Sequence, residues 1–134
     1  MSSFADQLRM FEAKTLDKMS RAARKITLDA FSEVIMMSPV DTGRFRGNWQ
    51  TAVGSAPSGT IEATDPSGNM VIAKVSGVVA GMNAGDVIYM ANNLPYAQRL
   101  EDGWSQQAPA GMVRLTVQRF QPIAEAVIRQ IGAE

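Results

Sequence analysis

This sequence predicts an α+β domain: a long N-terminal helix, a small sheet, a middle helix and a kinked C-terminal helix. Three observations carry that expectation. Apolar residues recur in alternating steps of three and four from Phe4 to Met37. Two short β-prone segments, residues 49–53 and 86–92, are separated by turn-rich sequence and by one further periodic stretch. The last periodic segment, residues 112–131, carries Pro122 inside it.

The first helix is defined by the stripe Phe4, Leu8, Phe11, Met19, Ala22, Ile26, Ala30, Val34 and Met37, with one gap at Thr15. Leu28, Phe31 and Ile35 add an adjoining row, so the second half is expected to be the more deeply buried. Pro39 ends the helix, because the residue before a proline avoids the α region. Such a helix is about 50 Å long at about 1.5 Å per residue. A compact domain of this length is only roughly 36 Å across. The helix therefore either breaks or projects, and Phe4, Leu8 and Phe11, on its narrow early stripe, are the candidate subunit interface. On another face Lys14, Lys18, Arg21 and Lys25 form a basic row, either a solvated face or a contact with DNA or an acidic neighbour.

In the segment that follows, Asp41 and Thr42 are each placed to cap a short helical turn that Gly47 ends. Residues 49–53 read as a strand. Residues 54–69, rich in Gly, Ser and Pro, read as a mobile loop with a short strand at 60–64. Shortening that loop is expected to leave stability nearly unchanged, because closure entropy depends only weakly on loop length. Residues 70–82 have helical spacing at Val71, Val75, Val78, Val79 and Met82, with Asp65 as a cap and Pro66 in the first turn. Residues 86–92 read as an interior strand covered on both faces, since Val87 and Tyr89 alternate with Ile88 and Met90. A short helical segment at 96–100 and a second loop precede the C-terminal helix. That helix has Val113, Val117, Phe120, Ala124, Val127 and Ile131 as its core stripe and a kink expected near 118–121. The 134 residues fit one domain: a long helix to residue 38, a sheet-containing body over 39–107, and a C-terminal helix from 108.

Composition narrows the function. Thirteen Lys and Arg balance thirteen Asp and Glu, whereas a protein that grips DNA through phosphates usually carries a basic excess. The absence of cysteine removes thiolate chemistry and zinc–sulfur sites; the absence of histidine removes the commonest general base and metal ligand. No cofactor, metal or catalytic residue is expected. The N-terminal sequence has no signal-type apolar core and no stretch of eighteen apolar residues occurs, so the chain is expected to fold in the cytoplasm without a membrane partner.

Asp41-Thr42-Gly43 is also the tripeptide that carries the catalytic aspartate of aspartic proteases, and a homodimer would supply two copies. In those enzymes it follows an apolar strand and leads into a small residue. Here it follows Ser38-Pro39 and leads into Arg44 and Arg46, whose charges would hold both carboxylates ionised. A homodimeric protease using Asp41 is therefore only a remote alternative. The stretch at 54–59 lacks the lysine of a phosphate loop, and Asp65, Asp86, Glu101 and Asp102 are too scattered for a magnesium site.

Two segments, SPVDTGRFRGNW (38–49) and NNLPYAQRLEDGWSQQAPAGMVRLTVQRF (92–120), resemble the neck and tail-completion proteins of long-tailed bacteriophages. The family's Pro-x-Asp-Thr-Gly-x-x-Arg stretch matches Pro39, Asp41, Thr42, Gly43 and Arg46. Its Tyr-Ala-x-x-x-Glu-x-Gly segment matches Tyr96, Ala97, Glu101 and Gly103. The likeness in order and spacing covers nearly the whole chain, and extends to tail terminators and minor tail components. It implies a virion structural protein forming a sixfold ring between neighbouring neck and tail proteins, with DNA passing through the lumen without sequence-specific binding. Within that frame Tyr96 is expected to pack in the core with its hydroxyl bonded, and Glu101 to pair with Arg46 or Arg99.

Overall fold

The computed structural model describes residues 3–134. Helix α1 (Phe4–Met37) runs unbroken for 34 residues. A capping box starts it: the Ser3 hydroxyl accepts the Asp6 N–H at 3.1 Å, and the Asp6 carboxylate accepts the Ser3 N–H at 3.4 Å. It stops at Ser38, which takes the extended conformation (φ −68°, ψ 136°) that Pro39 imposes. Its second half is the spine of the molecule, with Thr27, Ala30, Val34 and Ile35 buried. The helices α3 (Asn69–Val79) and α6 (Phe120–Gly132) both pack along it. Residues 3–17 are exposed throughout, a length of about 20 Å beyond the body.

Helix α2 (Arg44–Gly47) is one turn, and it leads through Asn48 into strand β1 (Trp49–Val53). Strand β1 pairs antiparallel with β2 (Ile88–Asn92), Trp49 opposite Asn92 and Val53 opposite Ile88. Among the described residues the sheet has only these two strands, so β2 is not the interior strand the sequence suggests. Trp49, Ile88 and Met90 turn one face toward the helices, whereas Tyr89 on the other face is 40% exposed. Val87, 58% exposed, precedes the strand. Apolar residues on both faces of β2 thus reflect one packed face and one more exposed face, with the second edge of β2 unpaired among the described residues.

Helix α3 begins after Gly68 and receives its cap from farther back: the buried Asp65 carboxylate accepts the Val71 N–H at 2.9 Å. Val71, Val75 and Val79 enter the core beside Ile35 and Trp49. No strand forms over 60–64. The side chain of Asn48, fully buried, ties that segment down instead. It accepts the Ile61 N–H at 2.7 Å and donates to the Ile61 carbonyl at 2.9 Å and to the Arg44 carbonyl at 2.6 Å.

After α4 (Ala97–Glu101), the C-terminal segment splits into α5 (Val113–Gln118) and α6 at Arg119, whose backbone (φ −94°, ψ 1°) leaves the helical region. Pro122 is the third residue of α6, where a first-turn N–H has no intrahelical acceptor to lose. The break also corrects the single core stripe expected for this segment. Val127 and Ile131 are buried, but Val113, Val117 and Phe120 are 40%, 68% and 51% exposed. On α5 the buried positions are Thr116 and, just before the helix, Met112.

Candidate assembly surface

The motif residues build joints between elements. Pro39, Asp41, Thr42 and Gly43 share one cleft of about 420 Å³ with Tyr96 and Gln107. Gly43 has φ 93°, and a Cβ there would lie 2.5 Å from the Pro66 nitrogen, so only glycine allows the 43–66 approach. The Gly43 carbonyl accepts the Gly47 and Asp65 N–H groups, both at 2.9 Å. The Thr42 hydroxyl accepts the Arg44 N–H at 3.2 Å. Asp41 does not cap: it is exposed, and among the described residues its carboxylate accepts no hydrogen bond. The chain reaches the helix through Gly43, in the left-handed region, and this turn directs the Thr42 side chain, not that of Asp41, to the N–H of Arg44.

Among the described residues Arg46 pairs with no carboxylate. Its guanidinium donates to the carbonyls of Ser38 (2.8 Å), Met36 (3.0 Å) and Pro66 (2.8 Å). It thereby caps the end of α1, whose last turn has no basic residue of its own. Glu101 pairs with neither Arg46 nor Arg99. Its carboxylate accepts the N–H groups of Met112, Val113 and Arg114 at 3.1, 2.9 and 3.0 Å, capping α5 from outside the helix. Arg99 instead lies 5.2 Å over the exposed Trp104 ring. Gly103 (φ 91°) brings the chain against the Pro109 carbonyl, where a side chain would collide. The Tyr96 ring is half-buried against Phe45 (6.2 Å between centroids), and its hydroxyl has no hydrogen-bond partner among the described residues.

Two relationships were not legible in the sequence. Trp49 Nε1 donates to Ser38 Oγ at 2.7 Å, and that hydroxyl donates to the Val34 carbonyl at 2.8 Å, locking β1 onto the end of α1. The Asn48 clamp is the other. An Asn-Trp pair at a helix end is a weak signal for either.

On α1, Phe4, Leu8 and Phe11 are 74%, 52% and 69% exposed, and Met10, Leu16 and Met19 are also more than half exposed. Beside them the basic row divides. Arg21 pairs with Glu134, and Lys25 pairs with Asp29 at 2.9 Å. Lys14 and Lys18 have no ion-pair partner among the described residues.

An open apolar groove of about 730 Å³ lies between α1, β2 and α5. Its floor is Ala23, Ile26, Ala30 and Val34 of α1; Ile88 and Met90 form one side, and Val113, Val117 and Phe120 the other. None of its lining residues is charged. Among the described residues no three His, Cys, Asp or Glu side chains gather as metal ligands, and no helix is long and apolar enough to cross a membrane.

No family model, curated protein or solved structure matches the chain.

Proposed function

We propose that the chain is a structural, non-enzymatic subunit of the neck or tail end of a long-tailed bacteriophage, working in a homo-oligomeric ring through which DNA passes. The observation that carries this reading is the exposed arm: residues 3–17 stand clear of the body with Phe4, Leu8 and Phe11 uncovered. Exposed aromatics on a projecting helix fit a surface completed by another subunit. The resemblance at residues 38–49 and 92–120 supplies the setting, with neighbouring neck and tail proteins as further partners. The residues that carry it fit the same reading, since Gly43, Arg46, Glu101 and Gly103 hold backbone segments together. Tail terminator and minor tail component are positions within the same reading.

The test is Phe4→Ser combined with Phe11→Ser. Circular dichroism and the melting temperature are expected to stay close to wild type, while sedimentation loses the assembled species. A wild-type chain that stays monomeric at every concentration, alone and with particle components, sinks the proposal. So does a peptidase activity abolished by Asp41→Asn with assembly intact.

A further inference from the structure

We propose that the groove between α1, β2 and α5 receives residues 4–15 of α1 from a second copy of this chain. The proposal rests on the reading of the arm as an association element and names its acceptor.

The two surfaces match in chemistry. The arm presents Phe4, Leu8 and Phe11; the groove is uncharged, and Thr27, one of its few polar side chains, already donates to the Ala23 carbonyl at 2.8 Å. A small polar ligand would need several convergent hydrogen-bonding groups to orient it, and beyond the engaged Thr27 and Trp49 groups the groove offers only the hydroxyls of Thr116 and Tyr89. The single polar interruption of the arm stripe, Thr15, donates its hydroxyl to the Phe11 carbonyl at 2.9 Å. It can be covered without leaving a donor unsatisfied.

They match in length as well. From Ala23 to Val34 the groove floor spans about 16 Å of helix axis, and Phe4 to Thr15 spans the same distance. Yet they cannot meet within one chain. Both lie on a single unbroken helix, so the arm leads away from its own groove along the axis.

Pairing of two arms with each other is the less suitable arrangement. The stripe recurs every eleven residues, with Phe4, Thr15 and Ile26 on one row and Leu8 with Met19 on the next. That period gives about 3.67 residues per turn, which drifts off the seam of a left-handed coiled coil and leaves only a right-handed one, with the polar Thr15 in its seam. A strict heptad from Phe4 would place Lys18 and Lys25 in the seam. The two arm aromatics bury about 400 Å² at about 200 Å² each, and the groove loses a comparable area, so an arm in a groove covers on the order of 800 Å²; a copy that both gives and receives an arm reaches a standard interface size.

The chain has no cysteine, so introduced thiols report position directly. Glu12→Cys, beside the arm stripe, and Gln118→Cys, beside the groove wall, both exposed and neither an anchor of the proposed contact, are prepared as separate full-length proteins. They are mixed and treated with a flexible bis-maleimide, with circular dichroism confirming the fold of each. The expected result is a mixed dimer at least tenfold more abundant than either self-linked product. Self-linked Glu12→Cys as the main product would mean that arms pair with each other and would overturn the assignment. Absence of the mixed product from a sample that sediments as a ring would overturn it and leave the ring reading standing. A mixed product in a species that closes at two subunits would uphold the groove assignment and end the ring reading. A mixture that stays monomeric removes both.

Discussion

Gly111 and Glu101 meet at the joint before α5: a Cβ on Gly111 would lie 2.6 Å from the Glu101 carbonyl oxygen and 2.7 Å from Oε2. The same carboxylate holds the three N–H groups that open the helix. One acidic side chain and one left-handed glycine (φ 85°) therefore fix where the C-terminal segment leaves the body.

Replacing Glu101 by Ala is expected to cost about 1–2 kcal/mol, the range of a lost helix cap. Glu101→Gln should lose less, because its oxygen still accepts. Gly111→Ala should cost at least as much as Glu101→Ala, through both φ and collision. Urea denaturation of the three variants checks the order; a neutral Glu101→Ala would remove the capping role.

The fork of Arg46 predicts a second asymmetry. Arg46→Ala leaves the Ser38 and Met36 carbonyls at the end of α1 without their charged donor, for an expected loss of about 2–3 kcal/mol. Arg46→Lys should recover only part of it, since one ammonium cannot reproduce a planar fork. Equal stability of the Lys variant and wild type would show that charge alone suffices.

The regular elements were legible because their signals are local. Apolar spacing and Pro39 define α1, and the valines at 71, 75 and 79 define α3. Pro122 announced a break that falls three residues earlier, at Arg119. What escaped sequence reading depends on distance along the chain. Glu101 caps a helix that starts twelve residues later, outside the window in which a capping box is recognised. Asp41 and Thr42 look equivalent as caps until the Gly43 turn decides between them. The apolar residues of β2 and α5 read as interior, because periodicity cannot tell a face covered by the chain itself from one left open.

The loop after β1 divides into two parts with different expected tolerance. Removing the exposed Ser55 and Ala56 should change stability by less than about 1 kcal/mol. Asn48→Ala, which deprives both backbone groups of Ile61 and the Arg44 carbonyl of their partner, should cost about 3 kcal/mol. Thermal melting of the two variants tests the contrast, and equal losses would count against it.

Only Lys14 and Lys18 of the basic row lack ion-pair partners among the described residues, and the net charge is zero. The basic row should accordingly contribute a log–log salt slope no steeper than about −2 per subunit to duplex binding. A steeper slope, or a large loss of affinity on Arg21→Ala and Lys25→Ala, would mean that the paired cations also meet phosphate.

Along α1 the first hydrogen bond to a distant element is at Ser20, whose hydroxyl accepts the Ala84 N–H at 3.1 Å. Ahead of it the helix relies on propensity, the capping box and the Asp6–Arg9 pair. An unsupported helix of about 12–15 residues is marginal in water. Opening free energy should therefore climb from near zero at Phe4 toward the global value past Thr27. In terms of exchange kinetics, the proposed association would carry its own reporter. Amide protons of residues 4–17 are expected to exchange quickly in the free chain and slowly if that segment becomes covered, while those around Val34 and Ile35 should keep their protection in both states.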